Sequence, residues 1–270
     1  MAFSEEQLQR YSRHFVLREI GVAGQKRLLA SSVLVIGAGA LGSASILYLA
    51  SAGVGTIGIA DHDTVELSNL QRQVIHTSKS VGTHKTESAA ASVSERNPDV
   101  QVRLHTCKMT AENIQDVIKD YDFILDCTDR FETKFLINDA CVLSGKPYCH
   151  AGVVRFEGQV MTYVPNKGPC LRCLLGGVPS PEDSPTCAEA GVLGAVTGII
   201  GSIQALEAVK YILNIGEPLV GRVLNFNGLT MDMRIAKMAE SDPDCAVCGK
   251  TPGVRSLKEN AHEYEINGCN

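Results

Sequence analysis

Four of the ten cysteines in this 270-residue chain form two C-x-x-C pairs, Cys170-Leu-Arg-Cys173 and Cys245-Ala-Val-Cys248. Each spacing sets two thiolates on one metal, and two such pairs complete a tetrahedral Cys₄ site that suits Zn²⁺. The pairs lie far apart in sequence, so the metal would staple the C-terminal segment to the middle of the chain. Four thiolates leave no open position for water, which makes such a site structural rather than catalytic. The alternatives are a thioredoxin-like dithiol or unrelated buried cysteines. A redox pair normally opens a helix after a strand, whereas Cys173 runs into Leu-Leu-Gly-Gly and Cys248 into a glycine.

A second group of residues suits phosphate chemistry. Gly37, Gly39 and Gly42 follow the apolar run Val33-Leu34-Val35-Ile36 with G-x-G-x-x-G spacing, and Asp61 closes the next apolar run, 56–60. With a helix over 41–52 between them, this is a βαβ unit. Its second glycine lets backbone N–H groups approach a phosphate, and its acid sits where a ribose hydroxyl is held. Glycines needed only for packing would give the same spacing. Downstream, Arg72 can clamp phosphate bidentately and Lys85 can act as a point charge. Asp126 and Asp129 stand at and just past the end of a buried strand over 122–126; two hard oxygen ligands beside a nucleotide suit Mg²⁺. A dehydrogenase would need neither the two cations nor Mg²⁺, and no acid or base of a hydride site is identifiable.

The elements that must position these residues follow from hydrophobic period and breakers. Helices are expected over 4–17, 23–30, 83–97, 110–119 and 131–144, and strands over 100–105 and 146–150. Residues 33–152 thus alternate strand and helix, as in an open parallel sheet. Beyond them, 156–164 reads as a strand or hairpin, 176–185 as a Gly/Pro/Ser-rich loop, 191–213 as a long apolar helix, and 223–226 and 229–238 as strands. The fold class is therefore α/β and Rossmann-like: a mainly parallel sheet flanked by helices, with an antiparallel extension and the Cys₄ site in the C-terminal part. A net charge of −5 and no basic stretch make nucleic acid an unlikely partner. The N-terminus lacks a signal-peptide core, and the apolar run 190–203 is too short to span a bilayer. A cytoplasmic protein without membrane attachment is expected.

In order and spacing, GAGALGSASILYLASAGVG, DHDTVELSNLQRQ, VGTHKTESA, DFILDCTD, CLRC, TCAEAGV and PDCAVCG resemble the ThiF/MoeB/HesA family of ubiquitin-activating-type adenylyltransferases, from about residue 10 to residue 249. The resemblance implies a single domain over 1–270: N-terminal helices (1–30), a nucleotide-binding half (31–152), and a half for carrier binding, zinc and dimerisation (153–270). It implies that a ubiquitin-like sulfur-carrier protein ending in Gly-Gly offers its carboxylate to ATP-Mg²⁺. An acyl-adenylate and pyrophosphate form, ahead of a thiocarboxylate in thiamine, molybdopterin or another biosynthesis. Nucleotide contacts would fall on Gly39, Ala40, Asp61, Ser68, Asn69, Arg72, Lys85, Asp129 and Arg130, with Asp129 placing Mg²⁺. Arg13 matches the arginine that reaches into the neighbouring subunit of a homodimer, and Cys187 the cysteine of the crossover loop. Ala40 stands where the family usually has glycine, Arg130 where asparagine is frequent, and His14 where glutamine is common. No rhodanese-like domain follows the second cysteine pair, so a separate sulfur donor is expected. The competing readings are adenylation of a small molecule or a modified tRNA base on the same fold, an NAD-dependent oxidoreductase, and a catalytically inert binding partner.

Overall fold

Val33 and Val35 of β1 (Ser32–Ile36) enter one hydrophobic core, while Leu34 and Ile36 enter another on the opposite face. A strand buried on both faces must lie inside a sheet that is covered on both sides. The structure, a computed structural model, describes residues 2–179 and 190–265. Around β1 the elements run α1 (Glu5–Arg10), α2 (Ser12–Phe15), α3 (Gly21–Ala30), then α4 (Ala40–Ala52), β2 (Thr56–Ala60), α5 (Lys85–Arg96), β3 (Gln101–His105), α6 (Ile114–Ile118), β4 (Phe123–Asp126) and α7 (Phe131–Leu143). There follow β5 (Tyr148–Val154), β6 (Glu157–Tyr163), α8 (Leu171–Leu175), α9 (Gly194–Leu213), β7 (Arg222–Asn227) and β8 (Asp232–Lys237).

The eight strands make one sheet in the order β3-β2-β1-β4-β5-β6-β7-β8. Pairings from β3 to β5 are parallel, and those from β5 to β8 antiparallel. This is the expected parallel sheet with an antiparallel extension. From β1 the chain runs outward through β2 and β3, then returns to β4 on the other side of β1. That reversal opens a crevice at the C-terminal ends of β1 and β4, the place where open α/β sheets bind ligands.

One core takes side chains from α3, α4, α5 and α9, and the other takes them from α6, α7 and the late residues Val254 and Leu257. The glycines of α9 bring it close to α4: a Cβ at Gly201 would run into the Leu41 carbonyl oxygen, and Ser45 Oγ donates to the Gly201 carbonyl at 2.9 Å. By length and composition α9 is apolar enough to cross a membrane, but half of it is buried inside this protein, as a core helix requires.

Some boundaries differ from expectation for tertiary reasons. The helix over 4–17 is two, because Tyr11 turns inward at the break, only 1 % exposed, and its hydroxyl accepts from Asn97 Nδ2 at 2.9 Å. The helix over 110–119 begins only at Ile114, since Asn113 Oδ1 accepts the Thr110 N–H at 2.9 Å and holds a turn there. β5 runs past residue 150 to Val154, because its second half pairs with β6.

Candidate functional site

The first and third glycines of the turn are required by packing. Gly37 has φ +100° and leaves no room for a Cβ against Cys127, and a Cβ at Gly42 would meet the Gly37 carbonyl. Gly39 is different: an added Cβ would find only Gln73 Nε2, at 3.6 Å. The space above it belongs to a cavity. Gly39 is also the N-cap of the 13-residue α4 with no side-chain cap, so the first N–H groups of a buried helix face that space, as an anion site needs. Ala38 between the glycines is clamped from two sides. Its N–H donates to Asp61 Oδ2 at 2.8 Å, and its carbonyl lies 2.9 Å from His76 Nε2, which must therefore carry the proton.

The cavity, about 1050 Å³, opens at the crevice between β1 and β4 and is lined by Gly39, Ala40, Asp61, Arg72, Lys85, Asp129 and Arg130 among others. Seven residues singled out from the sequence thus converge. Asp61 Oδ1 also accepts the Asp63 N–H at 2.9 Å. Lys85 is buried and its Nζ sits 2.7 Å from Asp63 Oδ2. Burial alone would raise the Asp63 pKa, but the Lys85 hydrogen bond and charge hold it below the usual carboxylate range. Arg72 is half-buried and donates to the Ser68 carbonyl at 3.1 Å. Asp129 and Arg130 are exposed at the mouth.

Ser68 and Asn69 do not line the cavity. They form a short turn behind Arg72, where Asn69 Oδ1 accepts the Glu66 N–H at 3.2 Å. Arg13 is exposed on α2, away from the cavity. Cys187 lies outside the described residues. Asp126 requires a correction. It is fully buried and cannot join Asp129 on a metal, because its carboxylate is already committed. Thr128 Oγ1 donates to Oδ1 at 2.7 Å, Lys134 Nζ approaches Oδ2 at 3.2 Å, and His150 Nδ1 lies 2.7 Å from Oδ2. Burial would raise its pKa, yet the Lys134 charge and the His150 and Thr128 hydrogen bonds hold it at about 2.

Three cavity residues carry no assigned role from the sequence, although Gln73 stands in the polar stretch with Asp63, Asn69, Gln71 and Arg72. Gln73 is buried, and its Oε1 has no hydrogen-bond partner among the described residues. An orphan buried acceptor is costly, and a donor on a bound nucleotide would relieve it. Lys134 and His150 line the deeper wall. The available signal was a lysine inside the apolar helix α7 and a histidine inside the apolar strand β5.

The four paired cysteines meet beside the later part of α7, whose Asn138 and Asp139 bond Leu171 and Arg172. Cys170, Cys173, Cys245 and Cys248 have all their Sγ atoms within 4.8 Å of one another. Separations of 3.9 Å (Cys170–Cys173), 3.7 Å (Cys170–Cys245) and 3.3 Å (Cys173–Cys248) are far beyond a disulfide bond. They approximate the edge of a tetrahedron around one Zn²⁺, about 3.8 Å for Zn–S bonds of about 2.3 Å. Cys170 does cap a helix, the single turn α8, so local helix geometry does not distinguish this pair from a redox dithiol. The convergence of all four sulfurs decides. Burial pushes the Cys173 thiol up to about 11, the reverse of a redox-active pair; a divalent cation is what would let the cluster ionise. Arg172, between the two cysteines, bonds Asp139 of α7 at 2.6 Å and Glu263 at 2.7 Å, tying the cluster to the helix that begins at the cavity.

The chain matches the ThiF family over residues 11–247. It is 46% identical over 254 residues to "Adenylyltransferase and sulfurtransferase MOCS3" of Aedes aegypti, covering 94% of this chain and 58% of that protein. It is 45% identical over 259 residues to "SAMP-activating enzyme E1" of Haloferax volcanii, covering 96% and 95%. The crystal structure of E. coli MccB with ATP superposes with a TM-score of 0.78 at 25% identity, covering 88% of this chain and 74% of that one. The chain thus spans a little under three fifths of the MOCS3 relatives and nearly all of the archaeal one.

Proposed function

The chain belongs to the ThiF family, and we propose that it uses ATP to adenylate the C-terminal glycine of a ubiquitin-like sulfur-carrier protein ending in Gly-Gly. The observation that carries this reading is the convergence of the glycine turn, Asp61, Arg72, Lys85 and Asp129 on one cavity at the β1/β4 crevice. The near full-length likeness to an enzyme named for activating a protein supports it over a small molecule or a tRNA base.

In this reading the N–H groups after Gly39 and at Ala40 cradle phosphate, and Asp61, already fixed by two backbone N–H groups, receives the ribose. Arg72 and Lys85 stabilise charge as pyrophosphate leaves; Ser68 and Asn69 shape the turn that holds Arg72. Lys85 exchanges its Asp63 partner for a phosphate or shares itself between them. Arg130 extends the cationic rim. The carrier carboxylate is ionised near neutral pH and attacks the α-phosphate without a general base, so catalysis is positioning and electrostatics. Asp129, with no hydrogen-bond partner among the described residues, is the hard oxygen that would hold Mg²⁺, which supplies charge neutralisation on the phosphates. The sulfur cluster would hold Zn²⁺ as a staple. The working unit is a cytoplasmic homodimer in which Arg13 completes the partner's site, and Cys187 acts after adenylation with a separate sulfur donor. Within one domain, 31–152 serves the nucleotide and 153–270 the carrier, the zinc and the dimer.

ATP–pyrophosphate exchange tests the reading. It should require a carrier ending in Gly-Gly and vanish when the last glycine is removed; exchange without any carrier would refute it.

A further inference from the structure

The deep wall of the cavity holds a second arrangement that nucleotide binding does not use. Ile36, Asp126 and His150 are register partners on β1, β4 and β5. They form a line across the C-terminal edge of the sheet, and two strand spacings put His150 about 10 Å from the strand that feeds the glycine turn. That is room for an α-phosphate on the turn and an acyl group beside it. His150 is 4 % exposed and lines the cavity. Its Nδ1 faces the Asp126 carboxylate at 2.7 Å. An ionised carboxylate only accepts, so Nδ1 carries the proton and Nε2 holds a bare lone pair. Nε2 has no partner among the described residues. Lys134, from α7, fixes the assembly by reaching both Asp126 and the Ala151 carbonyl, the latter at 2.6 Å.

Charged groups act on the ring from two elements, Asp126 on β4 and Lys134 on α7. Its register partner on β6 is Met161, and α9 contributes Gln204, which donates to the Asp126 carbonyl at 2.8 Å. Burial and the Lys134 charge lower the imidazole pKa against the pull of Asp126, so the ring is neutral near pH 7. A carboxylate that orients a neutral imidazole with its second nitrogen free is the arrangement of a general base and its orienting group. A bare lone pair also repels a phosphate oxygen and calls for a donor.

We propose that His150 is the general base of the step after adenylation, accepting the S–H proton of an incoming sulfhydryl through Nε2. The sulfur forms its bond to the adenylate's carbonyl carbon, the C–O bond to AMP breaks, and AMP leaves with that electron pair; nothing is oxidised or reduced. Asp126 and Lys134 are positioning residues. The inference rests on the adenylation reading above.

The test uses the full chain, ATP, Mg²⁺ and a carrier ending in Gly-Gly, with dithiothreitol as the sulfhydryl. Carrier-dependent ATP–pyrophosphate exchange reports adenylation, and the mass of the carrier–dithiothreitol thioester reports the second step. His150→Asn keeps an amide donor toward Asp126 and removes the ring nitrogen. The ratio of thioester formation to exchange should fall about 100-fold near pH 7. The deficit should narrow to about fivefold or less near pH 9, where the thiol ionises unaided. His150→Gln should behave alike, which guards against one variant misfolding. The wild-type thioester rate should rise through an inflection below about pH 6.5. An unchanged ratio, an equal deficit at both pH values, or a wild-type profile without that inflection overturns the proposal. Absence of exchange in the wild type would instead refute adenylation itself, and this step with it.

Discussion

At the cavity, Asp129 is exposed with no hydrogen-bond partner among the described residues and the Gln73 Oε1 is orphaned, whereas in the sulfur cluster each Sγ lies within 4.8 Å of the other three. Both sites gather residues from distant parts of the chain, and both lie against α7. The cavity leaves donors and acceptors open in a space lined by opposite charges. The cluster closes on itself with the geometry of one tetrahedral ion. Open positions serve turnover and closed ones serve stability, so disturbing the two should separate activity from folding.

The widest separation is expected at Asp129. Because its side chain is exposed and makes no hydrogen bond or ion pair among the described residues, Asp129→Ala should move the melting temperature by no more than about 2 °C, while carrier-dependent exchange falls about 10³-fold. Near-normal exchange would remove Asp129 from the site. The homodimer reading sharpens this. Arg13→Ala and Asp129→Ala proteins should each be nearly inactive, and re-equilibrated mixtures should recover about a quarter of wild-type sites, since half the dimers then carry one complete site. No recovery despite verified subunit exchange would place Arg13 in its own subunit's chemistry or in none.

At the closed site the signs reverse. Protein purified without added zinc should hold about one Zn²⁺ per chain, and Cys248→Ser should lose the metal and several kcal/mol of stability. Unchanged metal content and melting temperature would refute the site. Asp126 lies between the two behaviours, buried behind the cavity residues Lys134 and His150 and closed by them. Its folded pKa is depressed to about 2 from an ordinary value of about 3.9. The stability it supplies is therefore complete above about pH 4 and lost as pH falls toward 2. Asp126→Asn should cost about 3 kcal/mol near pH 7, leaving Lys134 buried without a countercharge, and the gap to wild type should close across that window. Parallel acid-unfolding curves for the two proteins would contradict it.

The sequence was most legible where function is local. The glycine spacing and the acid after β2 act within one βαβ unit, each C-x-x-C pair announces itself by its own spacing although the two meet only in the fold, and the alternation of strand and helix points to the parallel sheet. What escaped depends on contacts between elements. Tyr11 breaks a helix because Asn97, 86 residues away, fixes its hydroxyl. Asp126 looked like a metal ligand because nothing nearby in sequence reveals Lys134 and His150 arriving from α7 and β5. Gln73, one position beyond Arg72, gave no sign that its amide oxygen would be buried without a partner.

The central claim is that the carrier's carboxylate attacks the α-phosphate of ATP, and one isotope measurement tests it directly. A carrier whose terminal carboxylate oxygens are both ¹⁸O is incubated with the chain, ATP and Mg²⁺, and the adenylate is discharged with dithiothreitol. The account predicts one ¹⁸O in the released AMP and none in inorganic phosphate. Label in phosphate, which marks attack at the γ-phosphate, or AMP released without label, would contradict it.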